Sequence, residues 1–345
     1  MRNTYLQFFA IVTLLSVCTV ASQTQPGTLV RNVHKDYVDS LKQVKYDYKF
    51  PIWGQKAYDR GIDLAYPAGA MVNYIWMNQG IVIDNFQLGF KNDQTDIPLT
   101  DMDMIQFENS QNTSYGINVR PDLWVLPFLN VYGIFGYAHL KTEVNLVYPV
   151  KLTSVVEQGA STAGFGLMSG FAVGGFFMSV DANFTWNKPE LLEKAVPVNV
   201  LGLRLGKNFK FKNNPSRNLT FWAGGMRVNA KGVTSGQITI SEALPGFVEK
   251  KDQIVSDYYN WYDNEATPAE KIVADKVLTP VIENIDKANG NGTVRYAMDK
   301  NLKELWNGII GAQFQYNKNW QLRSEAGIIG DRKSFLISLN YRFLL

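Results

Sequence analysis

The chain has 345 residues, 46% of them hydrophobic, and its 34 basic and 31 acidic side chains leave a formal charge of only +3. So small an excess gives no electrostatic footprint for nucleic acid, and a single cysteine excludes a disulfide framework. Phe 20, Tyr 17, Trp 8 and Gly 28 suit strands joined by tight turns.

The first residues, MRNTYLQFFAIVTLLSVCTVASQTQ, carry Arg2, an apolar run from Tyr5 to Val17, and the small residues Thr19-Val20-Ala21. This is the pattern of a secretory signal peptide over 1–21, because the run is too short to span a bilayer and leads into polar residues. Lipid attachment at Cys18 is the alternative reading, and Val17 in front of it fits that poorly. Cleavage after Ala21 leaves a mature chain without cysteine. No later stretch holds about 18 consecutive apolar residues, so a transmembrane helix is excluded.

Residues 22–69 hold HKDYVDSLKQVKYDY, with Val33, Tyr37, Leu41 and Val44 at helical spacing, and then the Gly/Pro-rich FPIWGQKAYDRGIDLAYPAG. Two readings stand for this segment, a periplasmic tail or a plug. From residue 70 the pattern changes to period two, which puts one residue set on each face of a strand. Strands are predicted over 70–91, 114–126, 130–148, 162–172, 174–188, 198–211, 218–240, 306–317, 319–329 and 333–344. In FFMSVDANFTW, Phe176, Met178, Val180, Phe184 and Trp186 oppose Ser179, Asp181, Asn183 and Thr185. In VYGIFGYAHLKTEVNLVY, Tyr132, Ile134, Ala138 and Leu140 oppose Tyr137, His139, Lys141 and Glu143.

These segments are long for soluble strands, which average about five or six residues. Aromatic residues sit near the ends of their apolar faces, and charges sit mid-strand on the other face. Together these features predict an all-β fold, a transmembrane antiparallel up-and-down β-barrel over 70–345 with a lipid-facing exterior and a polar lumen. The strand count is ten, rising to twelve if 70–91 or 218–240 conceals a turn. Joins at 127–129, 174–175, 212–218 and 317–319 are short, whereas 92–113, 149–161, 189–197 and 241–305 are longer, the asymmetry of periplasmic turns against outer loops. The charged positions expected to line the lumen are Arg120, Asp122, His139, Lys141, Glu143, Asp181, Arg204, Arg323, Glu325 and Arg342.

The insertion 241–305 reads as helical and, by strand parity, extracellular. Thr267 is the N-cap, Pro268 follows it, and Glu270 completes a capping box. Ile272, Val273, Val277, Val281, Ile282 and Ile285 recur at helical spacing, Pro280 should kink the helix, and NGNG should end it. The aromatic stretch Tyr258, Tyr259, Trp261, Tyr262 is the expected partner of that stripe, in a hairpin that serves as a lid or a binding surface.

Catalytic signals are weak. The two histidines, His34 and His139, are unpaired, and neither lies in a serine-elbow or HExxH motif. Asp101, Asp103 and Glu108 have the chemistry for calcium without EF-hand spacing, and a solvated acidic loop explains them as well. No enzyme activity, metal or cofactor is expected.

The chain closes on SFLISLNYRFLL, where Ile337, Leu339, Tyr341, Phe343 and Leu345 alternate with Ser338, Asn340 and Arg342. In this closing strand, and more generally over 70–240 and 306–345, the sequence resembles Gram-negative outer-membrane β-barrel proteins. The resemblance implies residence among outer-membrane lipids and recognition of the five alternating residues by the barrel assembly machinery. It departs in ending on Leu345, where such chains often end on Phe. The function expected is a narrow or gated channel or transporter for a small solute or hydrophobic compound. A non-conducting structural or ligand-binding barrel, or a lipid-modifying enzyme, are the alternatives, and the solute itself is not legible.

Overall fold

The computed structural model describes residues 37–92, 96–173, 175–211, 214–230, 233–243, 246–287 and 292–345. The signal segment, Val33 and His34 lie outside these residues. The strands are β1 (Ala68–Lys91), β2 (Asp96–Asp101), β3 (Gln106–Phe107), β4 (Gln111–Leu126), β5 (Leu129–Tyr148), β6 (Leu152–Val173) and β7 (Phe176–Pro189). They continue as β8 (Val196–Phe211), β9 (Asn214–Ala230), β10 (Val233–Thr239), β11 (Thr293–Leu302), β12 (Trp306–Gln315), β13 (Trp320–Ile329) and β14 (Lys333–Phe343).

Ten of these form one closed antiparallel wall, in the order β1, β4, β5, β6, β7, β8, β9, β12, β13, β14 and back to β1. The seam is β14 on β1, from Ala68↔Phe343 to Asn78↔Lys333, while the same stretch of β1 pairs β4 on its other side. No edge is left along it, so the backbone polar groups of the wall are satisfied within the sheet, as a hydrocarbon environment demands. No helix among the described residues is long and apolar enough to cross a membrane; the crossing is made by strands.

The membrane-facing surface follows from the alternation. Val72, Tyr74, Ile117, Val119, Val180, Leu203, Ile337 and Leu339 are all exposed on the outer face. Exposed aromatic residues mark two levels, Trp76, Tyr115, Tyr137, Trp186 and Trp306 above, and Phe176, Trp320, Tyr341 and Phe343 below. On β7, ten residue steps separate Phe176 from Trp186. At about 3.3 Å per residue and a tilt near 40° that is a height of about 25 Å, the thickness of an apolar barrel belt.

Three expectations are corrected. Residues 152–161, read as loop, continue β6, so that β5 and β6 form a hairpin rising well above the belt. The stretch 218–240 divides into β9 and β10, but β10 leaves the wall to pair β11, and the count stays at ten. On β5 the facing is reversed: Tyr132 (2% exposed) and Ile134 (8%) point inward, and Phe135 and Tyr137 (56% each) point outward.

His139, Lys141 and Glu143 share the outward register with Phe135 and Tyr137, and therefore do not line the lumen. His139 meets the exposed Tyr115 ring at 5.4 Å, and Lys141 Nζ lies 3.4 Å from Glu157. The physical reason is height. Outward positions are apolar inside the belt and charged once the wall emerges into water.

Above residue 80, β1 changes neighbours. Its upper half pairs β11 on one side, Ile81↔Leu302 to Lys91↔Thr293, and β2 on the other. β10 and β11 thus arch over the short β13–β14 hairpin and complete a collar above the wall.

The helical insertion opens with a single helical turn at Ile240–Ala243 and continues as α2 (Phe247–Asn264), α3 (Pro268–Val273), a π-helical turn (Ala274–Leu278) and α4 (Thr279–Lys287), numbered after α1 (Gly54–Tyr58) in the N-terminal segment. The capping box forms: the Glu270 backbone N–H donates to Thr267 Oγ1 (3.4 Å), and the Thr267 N–H donates to Glu270 Oε2 (2.8 Å). This hydrogen bonding holds the Glu270 carboxyl below its ordinary range. The disturbance expected at Pro280 takes the form of the widened turn just before it, which accommodates the missing N–H and the ring's clash with the preceding turn. α4 is described as far as Lys287; Ala288, Asn289, Gly290 and Asn291, the expected stop of the helix, lie outside the described residues.

Candidate functional site: the barrel lumen and its two mouths

Seven of the ten predicted lumen residues point inward: Arg120, Asp122, Asp181, Arg204, Arg323, Glu325 and Arg342. Six of them join two ion-pair clusters, and Arg120 lies over a lumen ring. The central cluster is built on Arg204, which is 8% exposed, as are Asp181 and Glu325. Arg204 donates from Nε (2.6 Å) and Nη2 (2.9 Å) to the Glu325 carboxylate and from Nη1 to Asp181. Arg323 Nη2 donates to Glu325 at 3.0 Å, and the Trp222 indole N–H does so at 2.8 Å. Asp181 in turn accepts from Asn183 Nδ2 (3.1 Å), whose Oδ1 accepts from the Tyr132 hydroxyl (2.7 Å). The Arg120 guanidinium carbon lies 3.5 Å from the centre of the Tyr132 ring.

These side chains come from β4, β5, β7, β8, β9 and β13, so the cluster crosses the lumen rather than following one wall. Room for its aromatic members comes from glycines on neighbouring strands. A Cβ on Gly311 would meet the Trp222 indole at 2.4 Å, and one on Gly166 would meet the Tyr132 ring at 2.3 Å. A barrel of about eight strands is just filled by side chains, and ten strands leave little more room. A second pair sits lower: Arg342 Nη2 donates to Asp122 Oδ1 (2.9 Å), and Asn130 Nδ2 donates to the same oxygen (2.7 Å).

The lower mouth is crossed by residues 37–67. The Ile52 N–H donates to Val125 O at 2.8 Å, and Trp53 packs 6.3 Å from Phe128, both at the β4–β5 turn. Lys318, in the β12–β13 turn, lies 3.4 Å from Asp63, and Lys210 at the end of β8 sits 5.8 Å over the Tyr37 ring. Tyr37 donates to Asp63 at 2.8 Å; burial first, and this bond second, raise its hydroxyl well above the ordinary tyrosine range. Arg342 Nε donates to Tyr66 O at 2.8 Å. A cavity of about 130 Å³ remains between Tyr46, Tyr58, Tyr66, Lys318 and Leu344.

The upper mouth carries the helices. Tyr258, Trp261, Val277, Val281, Ile282 and Ile285 are buried in one cluster with Phe90 of β1, Ile97 of β2, and Val150 between β5 and β6. The Tyr148 hydroxyl donates to Glu270 at 3.0 Å, and Tyr258 Oη lies 2.7 Å from Thr279 Oγ1. The expected stripe and its aromatic partner thus meet, with two exceptions: Ile272 is 72% exposed and Tyr259 40%.

The closing-strand residues Ile337, Leu339, Tyr341 and Phe343 are exposed on the outer face of β14, and Leu345 lies just beyond it. Asp101 of the acidic stretch accepts from Gln87 Nε2 at 2.7 Å. No group of three metal-ligating side chains assembles among the described residues. Sequence reasoning did not single out Arg332, Lys300 or Gln79, inward-facing residues at the top of the wall. Their signal was faint, since Arg332 stands in a turn and Lys300 in a segment read as extracellular insertion.

No family model matches the chain, and no curated protein matches it. Among solved structures it is similar to the β domain of the Bordetella autotransporter BrkA, at 8% identity and a TM-score of 0.36, over 80% of this chain and 100% of that one. It is also similar to outer membrane protein OprG from Pseudomonas aeruginosa (8%, TM-score 0.34, 82% and 98%). A third is the toluene transporter TbuX from Ralstonia pickettii (8%, TM-score 0.29, 81% and 90%). Likeness at this level carries no argument. That the chain is an outer-membrane β-barrel rests on its own closed sheet, apolar belt and polar interior.

Proposed function

We propose that this barrel is a gated conduit for a small solute, closed in the state described. The observation that supports it best is the lumen-crossing network of Arg204, Asp181, Glu325 and Arg323, which fills the waist without a covalent link. Its charges are exchangeable for water or for a polar solute, whereas an apolar plug would be permanent. Both mouths are covered by segments held through side chains, residues 37–67 below and the helices above, and either cover could swing away. The lower cover is read here as a periplasmic plug across the mouth and the upper one as an extracellular lid. The closing strand is the element the assembly machinery would engage, and no catalytic role is assigned.

A second reading, a barrel that holds a ligand without passing it, is favoured by the burial of those same ion pairs. The two part in one experiment, with purified protein reconstituted in planar bilayers and in liposomes. Small, infrequent conductance steps and solute uptake are the result expected of the conduit. A silent bilayer together with impermeable liposomes refutes it and leaves the ligand-holding barrel.

A further inference from the structure

We propose that the top of the lumen, between the β13–β14 turn and β11, is a receptor for the anionic head of an amphipathic monocarboxylate. The first component is Arg332. It is 1% exposed, and its Nε donates to Gln79 Oε1 at 2.9 Å on the inner face of β1. Its Nη1 and Nη2 have no hydrogen-bond partner among the described residues. The adjacent Asp331 acts on the guanidinium through charge alone: its carboxylate is turned to the Gly80 backbone N–H, from which it accepts at 2.6 Å, and makes no hydrogen bond to either Nη. Asn307, 3% exposed and with neither amide atom partnered among the described residues, stands at the same turn; a Cβ on Gly330 would lie 2.8 Å from its Oδ1.

The second component is Lys300. It pairs Ile83, four residues above Gln79 on the same inner face of β1, and alternates with the buried Met298. It has no hydrogen bond or ion pair among the described residues, and burial pushes its ammonium down to about 8. The inward carboxylates Asp122, Asp181 and Glu325 are each bound to an arginine lower in the barrel and do not reach this level.

A desolvated ammonium without a nearby anion, and a buried guanidinium whose two terminal nitrogens are unbonded, are unfavourable as they stand, and both become favourable when a ligand brings an anion. Two free guanidinium nitrogens in one plane match the two oxygens of a carboxylate. The remaining wall, with Ile81 at 8% and Met298 at 7% exposure, is apolar and suits the body of the ligand. A small, doubly charged anion would leave that wall unused. The inference concerns binding and stands whether or not the solute crosses.

The test uses the mature full-length chain in lipid nanodiscs, titrated calorimetrically with octanoate, octanol and inorganic phosphate. Octanoate should bind saturably, with the other two at least about tenfold weaker, the loss of one charge-assisted contact. Arg332→Gln and Lys300→Met should each weaken octanoate about tenfold while the unboiled gel mobility stays that of a folded barrel. If Arg332→Gln does not fold, Lys300→Met decides alone, since that side chain has no partner to abandon. Octanol or phosphate binding as tightly as octanoate overturns the proposal, as does unchanged octanoate affinity in the folded variants. Saturable octanoate binding in a protein that passes no solute would refute the conduit and leave this site standing.

Discussion

Replacing Glu325 by alanine removes the acceptor on which the waist of the barrel converges. Four donors lose their oxygen: Arg204 Nε at 2.6 Å, Arg204 Nη2 at 2.9 Å, Arg323 Nη2 at 3.0 Å and Trp222 Nε1 at 2.8 Å. Arg204 keeps Asp181, but Arg323 is left as an uncompensated charge. Breaking a buried pair from one side costs about 3–5 kcal/mol, chiefly through the charge left behind. Glu325→Gln preserves the shape and one acceptor oxygen, so its loss should be smaller, about 1.5–3 kcal/mol for hydrogen bonds to charged groups. The assay is urea unfolding of the barrel in phospholipid vesicles, with midpoints compared at a common slope. The same Ala variant should show larger and more frequent conductance steps, because Arg323 and Arg204 would then repel across the waist. A loss below about 1 kcal/mol, the range of exposed pairs, would show that water already screens the network. Unchanged conductance in a folded Ala variant would show that the network does not close the lumen.

Removing residues 37–67 should raise single-channel conductance without changing the unboiled gel mobility; a conductance equal to wild type would make the segment a mere tail. Truncation after Arg342 removes the Ala68↔Phe343 pair and the Tyr341–Phe343 ring stack at 6.3 Å. It should deplete the folded, membrane-inserted band, and normal insertion would refute the assignment of the terminus to the seam. Lys300→Met should stabilise the protein near pH 7. The Lys300 ammonium, ordinarily 10.5 and about 8 when folded, is lost first from the folded state, so wild-type stability should rise as pH passes from about 8 to about 10.5. The variant should lack that rise, measured as urea midpoints across this window, and a rise retained in the variant would refute the assignment.

Period two made the ten wall strands and the seam legible, because each strand has lipid on one side and polar side chains on the other. The helix cap at Thr267 was legible for the same local reason: its chemistry lies within three residues. What was not legible is whatever depends on height or on distant pairing. On β5 both Tyr132 and Phe135 are apolar, so composition could not orient the strand. The run His139, Lys141, Glu143 signals where the wall leaves the belt, a signal that charge alone does not distinguish from lumen. Arg204 and Glu325 could each be placed on an inner face, but their meeting joins positions 121 residues apart. Arg332 stands in a turn that looks solvated until the arch of β10 and β11 covers it.

That arch also bears on how the barrel closes. Asn78 and Lys333, the upper end of the seam, stand 255 residues apart in the chain. Once Ile81 has paired Leu302, the segment left to search is only the 31 residues from Leu302 to Lys333. Loop-closure entropy grows as three-halves RT times the logarithm of length, so this shortening is worth about 2 kcal/mol at the closing step. The collar acts as a tether: it converts a search by the whole chain into the docking of one short hairpin, and the last strand made arrives beside the first already held in place.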